Sequence, residues 1–373
     1  MAFPGRATPA GTARFAERVA ASRAGTAAGR FNTLAGLQVS SVGFGLAAGE
    51  PTDEVDARYR VALEIALGCG CNHFDVAVSY RGQRSERVLG AALATCFGKG
   101  PARRDEVVVC SKAGFIPYQA EECDGARFVY DNFIAQGIAE PDDLAGGIHC
   151  MTPGFIGQQL AWSLRNTDLR SLDVYFLQNP ETQLPFVDRA TFRRRLQLAF
   201  ARLEEEVAAG RIGCYGIATW DGLRLAPLDN GYMSLEVIER LVSEVAGKNH
   251  HLRVIQLPIN AAMLEALTFR NQPVRNSLLT AVTAARDLGF EVVASAALAQ
   301  GQLSAKMKEA LADAFPALQT DRQRSLQFVR SLPGLASALF GSTEPEHVRE
   351  DLVALAQPAG ASAALRVAHM KGR

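Results

Sequence analysis

Apolar and polar residues alternate along the chain with two distinct spacings. Short, nearly continuous apolar runs rich in Val and Ile fall at residues 42–46, 73–76, 107–111, 174–177, 214–218, 254–257, 291–294 and 337–340. Such runs suit parallel strands covered on both faces, which need no polar side. Between them, apolar residues recur three and four positions apart. Residues 55–68 carry Val55, Tyr59, Ala62, Leu63, Ala66 and Leu67 in this way. The same spacing predicts helices over 86–97, 155–168, 189–209, 234–246, 275–288, 321–330 and 345–356. Gly70, Gly210 and Gly289 supply helix stops, and Ser85 is the expected N-cap of the helix at 86–97.

A strand followed by a helix, repeated around the chain, predicts an α/β fold of one domain, a closed (β/α)8 TIM barrel. An open doubly wound sheet would need a G-x-G-x-x-G turn after the first strand. Gly43 and Gly45 are present there, but no third glycine follows at the right distance. The expected organisation is a flexible lead-in over 1–30 with a short helix near 13–21, the barrel over 31–357, and a C-terminal tail over 358–373. Two connections are long, 115–152 and 220–232. Both leave C-terminal ends of predicted strands, where long loops usually form lids or binding surfaces with the barrel's site beneath.

Composition narrows the field. The 373 residues hold 39 basic and 39 acidic side chains, so a nucleic acid or charged membrane surface is not the expected partner. No apolar run approaches the ~20 residues of a membrane span. The N-terminus scatters Arg through Ala and Gly, without the apolar core of a secretory signal. Seven cysteines form no C-x-x-C pair and mostly sit in apolar context, as in VVVCSK. Buried reduced thiols are expected, with no metal site, and with them a cytoplasmic location. His250 and His251 read as a solvated loop and Arg193 to Arg195 as a solvated helix face.

The chemistry gathers at three strand ends. Asp75 closes the second predicted strand, Tyr80 lies in the loop after it, and Lys112 follows the third in VVVCSKAGF. The topology puts all three on one face. A buried ammonium beside a phenol favours the phenolate, and a carboxylate beside the ammonium keeps it charged. The trio is a candidate general acid.

Several motifs at the same time resemble those of the aldo-keto reductase family. They are Phe74, Asp75, Ala77 and Tyr80; Ser85, Glu86, Leu89 and Gly90; and Ser111, Lys112 and Gly114. The likeness continues through SLDVYFLQNPE, GRIGCYGIATW, VIQLPIN and FGSTEPEHVREDL, over roughly residues 33 to 355. It implies a (β/α)8 barrel transferring hydride between NADP(H) and a carbonyl or conjugated small molecule. Tyr80 would be the proton donor, tuned by Asp75 and Lys112. The implied cofactor contacts are Asp75, Asn179, Thr219, Gln256, Ser295, Leu298, Gly341, Ser342, His347, Glu350 and Asp351.

The departures from the family are specific. Its histidine falls on Gln178, which can donate a hydrogen bond but cannot relay a proton. Its Ser-Asn pair falls on Ala218 and Thr219, and its stacking tyrosine on Ser295, with Trp220 a candidate substitute ring. The cations that grip the 2′-phosphate fall on Gly341 and His347, leaving Arg349 as the nearest cation and NAD(H) as the alternative cofactor. These losses sustain two competing readings: a family-derived non-redox enzyme of elimination or isomerisation, and a non-catalytic cofactor-binding regulator. His149, in the first long loop, is either a solvated histidine or a replacement imidazole facing the pocket. Tyr118, Phe128, Tyr130, Trp220 and Tyr232 are the expected pocket aromatics. The sequence leaves the substrate and the oligomeric state open.

Overall fold

The expected apolar runs all become strands of one closed parallel barrel in the computed structural model, which describes residues 2–22, 27–100, 102–118, 124–299 and 302–370. The barrel strands are β3 (Val42–Gly45), β4 (His73–Asp75), β5 (Val108–Ala113), β6 (Leu172–Gln178), β7 (Ile212–Ala218), β8 (Leu252–Pro258), β11 (Glu291–Ser295) and β12 (Leu335–Phe340). Two antiparallel hairpins lie outside it: β1 (Phe31–Leu34) with β2 (Leu37–Ser40), and β9 (Arg270–Val274) with β10 (Ser277–Thr280).

Strand period two divides the core. Val108, Cys110, Val174, Phe176, Cys214 and Val254 fill the barrel interior. Their neighbours Val109, Tyr175, Tyr215 and Ile255 pack outward against the helices. Leu34, Leu37 and Val39 of the first hairpin join the interior cluster and so plug the N-terminal end. The hairpin leaves the other end of the barrel, where the strands' C-terminal ends lie, without such a plug.

The helix expected near residues 13–21 is present, but both termini are docked. Pro9–Ser22 is a helix that docks by burying Phe15. Arg14 and Arg18, one turn apart, both pair with Glu106, at 2.9 and 2.7 Å. These bonds outweigh burial and hold the Glu106 carboxyl down to about 2. An aromatic with two arginines on the same face is enough to fasten a lead-in that composition alone marks as flexible. The tail contains a second helix, Ala361–Met370, which buries Ala364, Val367 and Ala368.

Local readings also needed correction. The helix after β4 starts at Arg84, not after a Ser85 cap. Gln83 occupies the cap position in a left-handed conformation with no side-chain cap, and the Ser85 hydroxyl donates to the Leu46 carbonyl at 2.6 Å. The helix expected over 275–288 is only Ala281–Asp287, because residues 270–280 pair as a hairpin and Thr280 caps the shortened helix. His250 is buried, its ring 6.4 Å from that of Phe290. Cys123 lies outside the described residues. The other six cysteines are free thiols.

Candidate active site

The loop that carries Tyr80 is held from behind. Arg81, Gly82 and Gln83 all have positive φ, so the chain turns sharply after Tyr80. The Arg81 guanidinium donates to the Glu50 carbonyl and to Asp56 at 2.6 Å, and lies over the Tyr59 ring. Gln83 reaches across to the Pro117 carbonyl at 2.8 Å. A buried ion pair and a cross-loop hydrogen bond therefore fix a segment without regular structure.

Asp75 and Lys112 sit on adjacent strands, Asp75 opposite Cys110 and Lys112 two residues further along. Both point into the barrel and both are almost fully buried. Lys112 Nζ forms an ion pair with Asp75 Oδ1 and donates to the Val76 carbonyl at 2.8 Å. It also lies 4.8 Å from the centre of the Tyr80 ring. Burial alone would push this ammonium down. The Asp75 carboxylate and the Tyr80 phenol more than offset that, so its pKa stands above the ordinary lysine value. The other Asp75 oxygen accepts from Gln256 Nε2 at 2.9 Å. The three side chains expected to act together are thus neighbours on one face.

A cavity of about 290 Å³ opens there. Asp75, Tyr80, Gln256, Trp220, Ser295 and Leu298 line it. Gly45, Ala47, Ala48 and Ala297 form small-residue walls that the sequence did not single out, beside the expected Gly341. Their signal was available only as a lack of side chains. Trp220, 41% exposed, lines the cavity together with Tyr80 and Phe340, while Ser295 brings no ring.

Other expected contacts lie elsewhere. Thr219 is buried, and its hydroxyl donates to Glu181 Oε1 at 2.7 Å instead of facing the cavity. Glu181 also accepts from Trp220 N at 2.7 Å, so it fastens the start of the second long loop. Asn179 turns the chain in a left-handed conformation, its N–H donating to the Ala218 carbonyl at 2.6 Å. Gln178 ends β6 half-buried, with Oε1 enclosed and unpartnered. At the far end, Ser342 exchanges hydrogen bonds with the backbone of Glu344. Asp351 is fully buried and bidentate to Arg322, at 3.0 and 2.5 Å. Burial pushes its carboxyl up to about 6, against the pull of Arg322. Glu350 is half-buried beside it, whereas His347 is exposed, as is Arg349, which pairs with Glu346 at 3.6 Å.

His149 is neither solvated nor on the cavity. It is fully buried behind β6, where burial pushes it down to about 4. Arg195, expected on a solvated face, reaches inward to Gln183, which in turn touches His149. Among the described residues no group of His, Cys, Asp and Glu could hold a metal ion, and no helix is long and apolar enough to cross a membrane.

Three solved structures share this architecture at low identity. A thermostable aldo-keto reductase, Tm1743, crystallised with the inhibitor epalrestat, is 18% identical with a TM-score of 0.62, over 91% of this chain and 99% of that one. An aldo/keto reductase from Klebsiella pneumoniae in complex with NADP and acetate is 19% identical with a TM-score of 0.58, over 92% and 95%. The holo form of aldo-keto reductase AKR11C1 from Bacillus halodurans is 17% identical with a TM-score of 0.60, over 91% and 95%. No curated protein matches the chain in sequence. Likeness at this identity speaks for the fold alone, but the model of the aldo/keto reductase family itself matches residues 41–365. With nearly the whole barrel inside that match, the chain belongs to the aldo/keto reductase family, and with it to the nicotinamide-dependent oxidoreductases.

Proposed function

We propose that this protein transfers a hydride between NADP(H) and the carbonyl of a small, largely apolar molecule, with Tyr80 as the proton donor. The observation that carries the reading is the buried Asp75–Lys112 pair against the Tyr80 ring at the mouth of the cavity.

The cavity's donor set fits a nicotinamide group. The Gln256 amide and the Ser295 hydroxyl offer partners for a carboxamide, and the glycine and alanine walls leave a planar ring room beside Trp220. Gly341, Ser342 and Glu350 would hold the distal part. Asp351 would act through Arg322, which already occupies both its oxygens. When bound, the cofactor supplies or accepts the hydride. NADP(H) is favoured because the structural neighbour from Klebsiella pneumoniae was crystallised with NADP.

This chain's own residues handle the proton. As the carbonyl oxygen gains charge, the Tyr80 hydroxyl donates its proton to it. The phenolate left behind faces the Lys112 ammonium, whose charge Asp75 secures. The ammonium is in place before the reaction, so little reorganisation is needed. Gln178, at the end of the neighbouring strand and outside the cavity's lining residues, would donate a second hydrogen bond to the oxygen through its amide. It cannot accept the proton as an imidazole would, and slow turnover is expected.

The test is a titration with NADPH, followed by aldehyde reduction with the full chain and its Tyr80→Phe variant. Saturable quenching of NADPH fluorescence is expected in both, with turnover lost by at least about 100-fold in the variant. Wild-type turnover in Tyr80→Phe would refute the reading. Tight NADPH binding without any oxidation would favour the regulator instead.

A further inference from the structure

The β5 and β6 strands separate at the rim, and the break leaves one backbone acceptor to be satisfied. Their register runs from Cys110 opposite Val174 to Ala113 opposite Leu177. The next step would place Gly114 opposite Gln178. Gly114 instead turns away with φ of +151°, its N–H donating to Gln159 Oε1 at 2.8 Å and its carbonyl accepting from Cys150 N at 2.9 Å. The Gln178 carbonyl therefore loses its ladder partner. His149 Nε2 takes that place at 2.7 Å. No side chain fits at position 114, because a Cβ there would lie 2.6 Å from the Gln178 carbonyl oxygen and 2.8 Å from His149 Nε2.

The imidazole is locked in one protonation form by a chain of donors. The Arg195 guanidinium donates to Gln183 Oε1, which orients that amide. Gln183 Nε2 must then donate to His149 Nδ1, at 2.9 Å. With Nδ1 an acceptor, Nε2 carries the proton and donates to the Gln178 carbonyl. Arg195 also donates to the Asp142 carbonyl at 2.9 Å, so the chain ties the first long loop to the strand end.

We propose that His149 is a positioning residue for the reaction: through Nε2–H it sets the end of β6 and so the direction in which Gln178 presents its amide to the substrate oxygen. This rests on the hydride-transfer reading above and extends it to a side chain that touches neither substrate nor cofactor. One hydrogen-bond chain ties the long loop to the reacting end of β6, so a ligand that shifts the loop is felt at Gln178.

The experiment uses the full chain, NADPH and 4-nitrobenzaldehyde as the carbonyl probe. His149→Phe keeps the ring and removes both hydrogen bonds. His149→Gln keeps an amide able to donate to the carbonyl. Gln183→Leu keeps the imidazole but releases its tautomer, which guards against a His149→Phe that fails to fold. The expected result is a kcat lower by roughly 10- to 100-fold in His149→Phe, since small misplacements cost this much. The aldehyde KM and the NADPH Kd should stay within about 3-fold. His149→Gln should recover most of kcat, and Gln183→Leu should fall between. Unchanged kcat in His149→Phe, or His149→Gln as impaired as His149→Phe, overturns the proposal while leaving hydride transfer intact. A wild-type chain that neither binds NADPH nor reduces the aldehyde overturns both.

Discussion

Replacing Lys112 by methionine tests the physical core of the site without needing a substrate. Methionine fills a similar volume but leaves the Asp75 carboxylate, 4% exposed, with Gln256 as its remaining partner. The Val76 carbonyl also loses its side-chain donor. Breaking a buried ion pair from one side typically costs about 3–5 kcal/mol, because the surviving charge stays out of water. An unsatisfied carbonyl adds about 1 kcal/mol. In the double variant Asp75→Asn with Lys112→Met, the uncompensated charge is gone and the new amide oxygen can still accept from Gln256. That variant should lie only about 1–2 kcal/mol below wild type, and so be more stable than Lys112→Met alone. Urea unfolding followed by circular dichroism gives both free energies, and the pairwise coupling follows from a cycle with Asp75→Asn. Turnover should be lost in all three variants. A Lys112→Met chain within about 1 kcal/mol of wild type, or a double variant no more stable than it, would show that the pair is not the buried, mutually dependent unit described here.

Three further expectations follow from the same structure. Turnover at Tyr80 should depend on the hydroxyl, as the Tyr80→Phe assay above measures. Burial holds His149 at about 4, against an ordinary 6.5, so the unfolded chain binds the extra proton as pH falls between these values. The stability this group contributes is present above pH 6.5 and lost as pH falls through about 4, worth about 3 kcal/mol. Glu86, Glu181 and Asp351, raised by burial, act in the opposite direction, so the clean measurement is a difference. Denaturation of His149→Gln from pH 7 to 4.5 should show a flatter loss than wild type, and parallel curves would contradict the assignment. Truncating Phe15 to alanine should cost about 3–5 kcal/mol if the N-terminal helix unfolds with the barrel. Limited proteolysis should then cut between residues 9 and 22, and an unchanged digestion pattern would mean that this helix does not depend on its aromatic anchor.

Much of the site was legible because it is built from strand ends. Asp75 and Lys112 fall where apolar runs stop, and in a parallel barrel such positions share one rim whatever the loops do. Gln256, on another barrel strand, was reached only through the family resemblance. Residues that act through loops were not legible. Thr219 stands next to a strand end yet turns its hydroxyl to Glu181, whose position depends on the turn that begins at Asn179. Asp351 stands where a cofactor contact is expected, but Arg322, 29 residues earlier, occupies it. Ser85 has the chemistry of an N-cap, but the left-handed stretch from Arg81 to Gln83 starts the helix earlier and frees its hydroxyl for Leu46.

Local pattern by itself determined the barrel. Short continuous apolar runs, period 3.6 between them, and their regular alternation leave few ways to bury 48% hydrophobic residues. Only the tertiary structure decided what His149 does. A histidine in an irregular loop carries no periodicity to mark its direction. Its role was set where β5 turns away at Gly114 and exposes the Gln178 carbonyl, which must find a donor once buried. Hydrogen-bond demand of that kind arises between segments distant in the chain, so no window of sequence contains it.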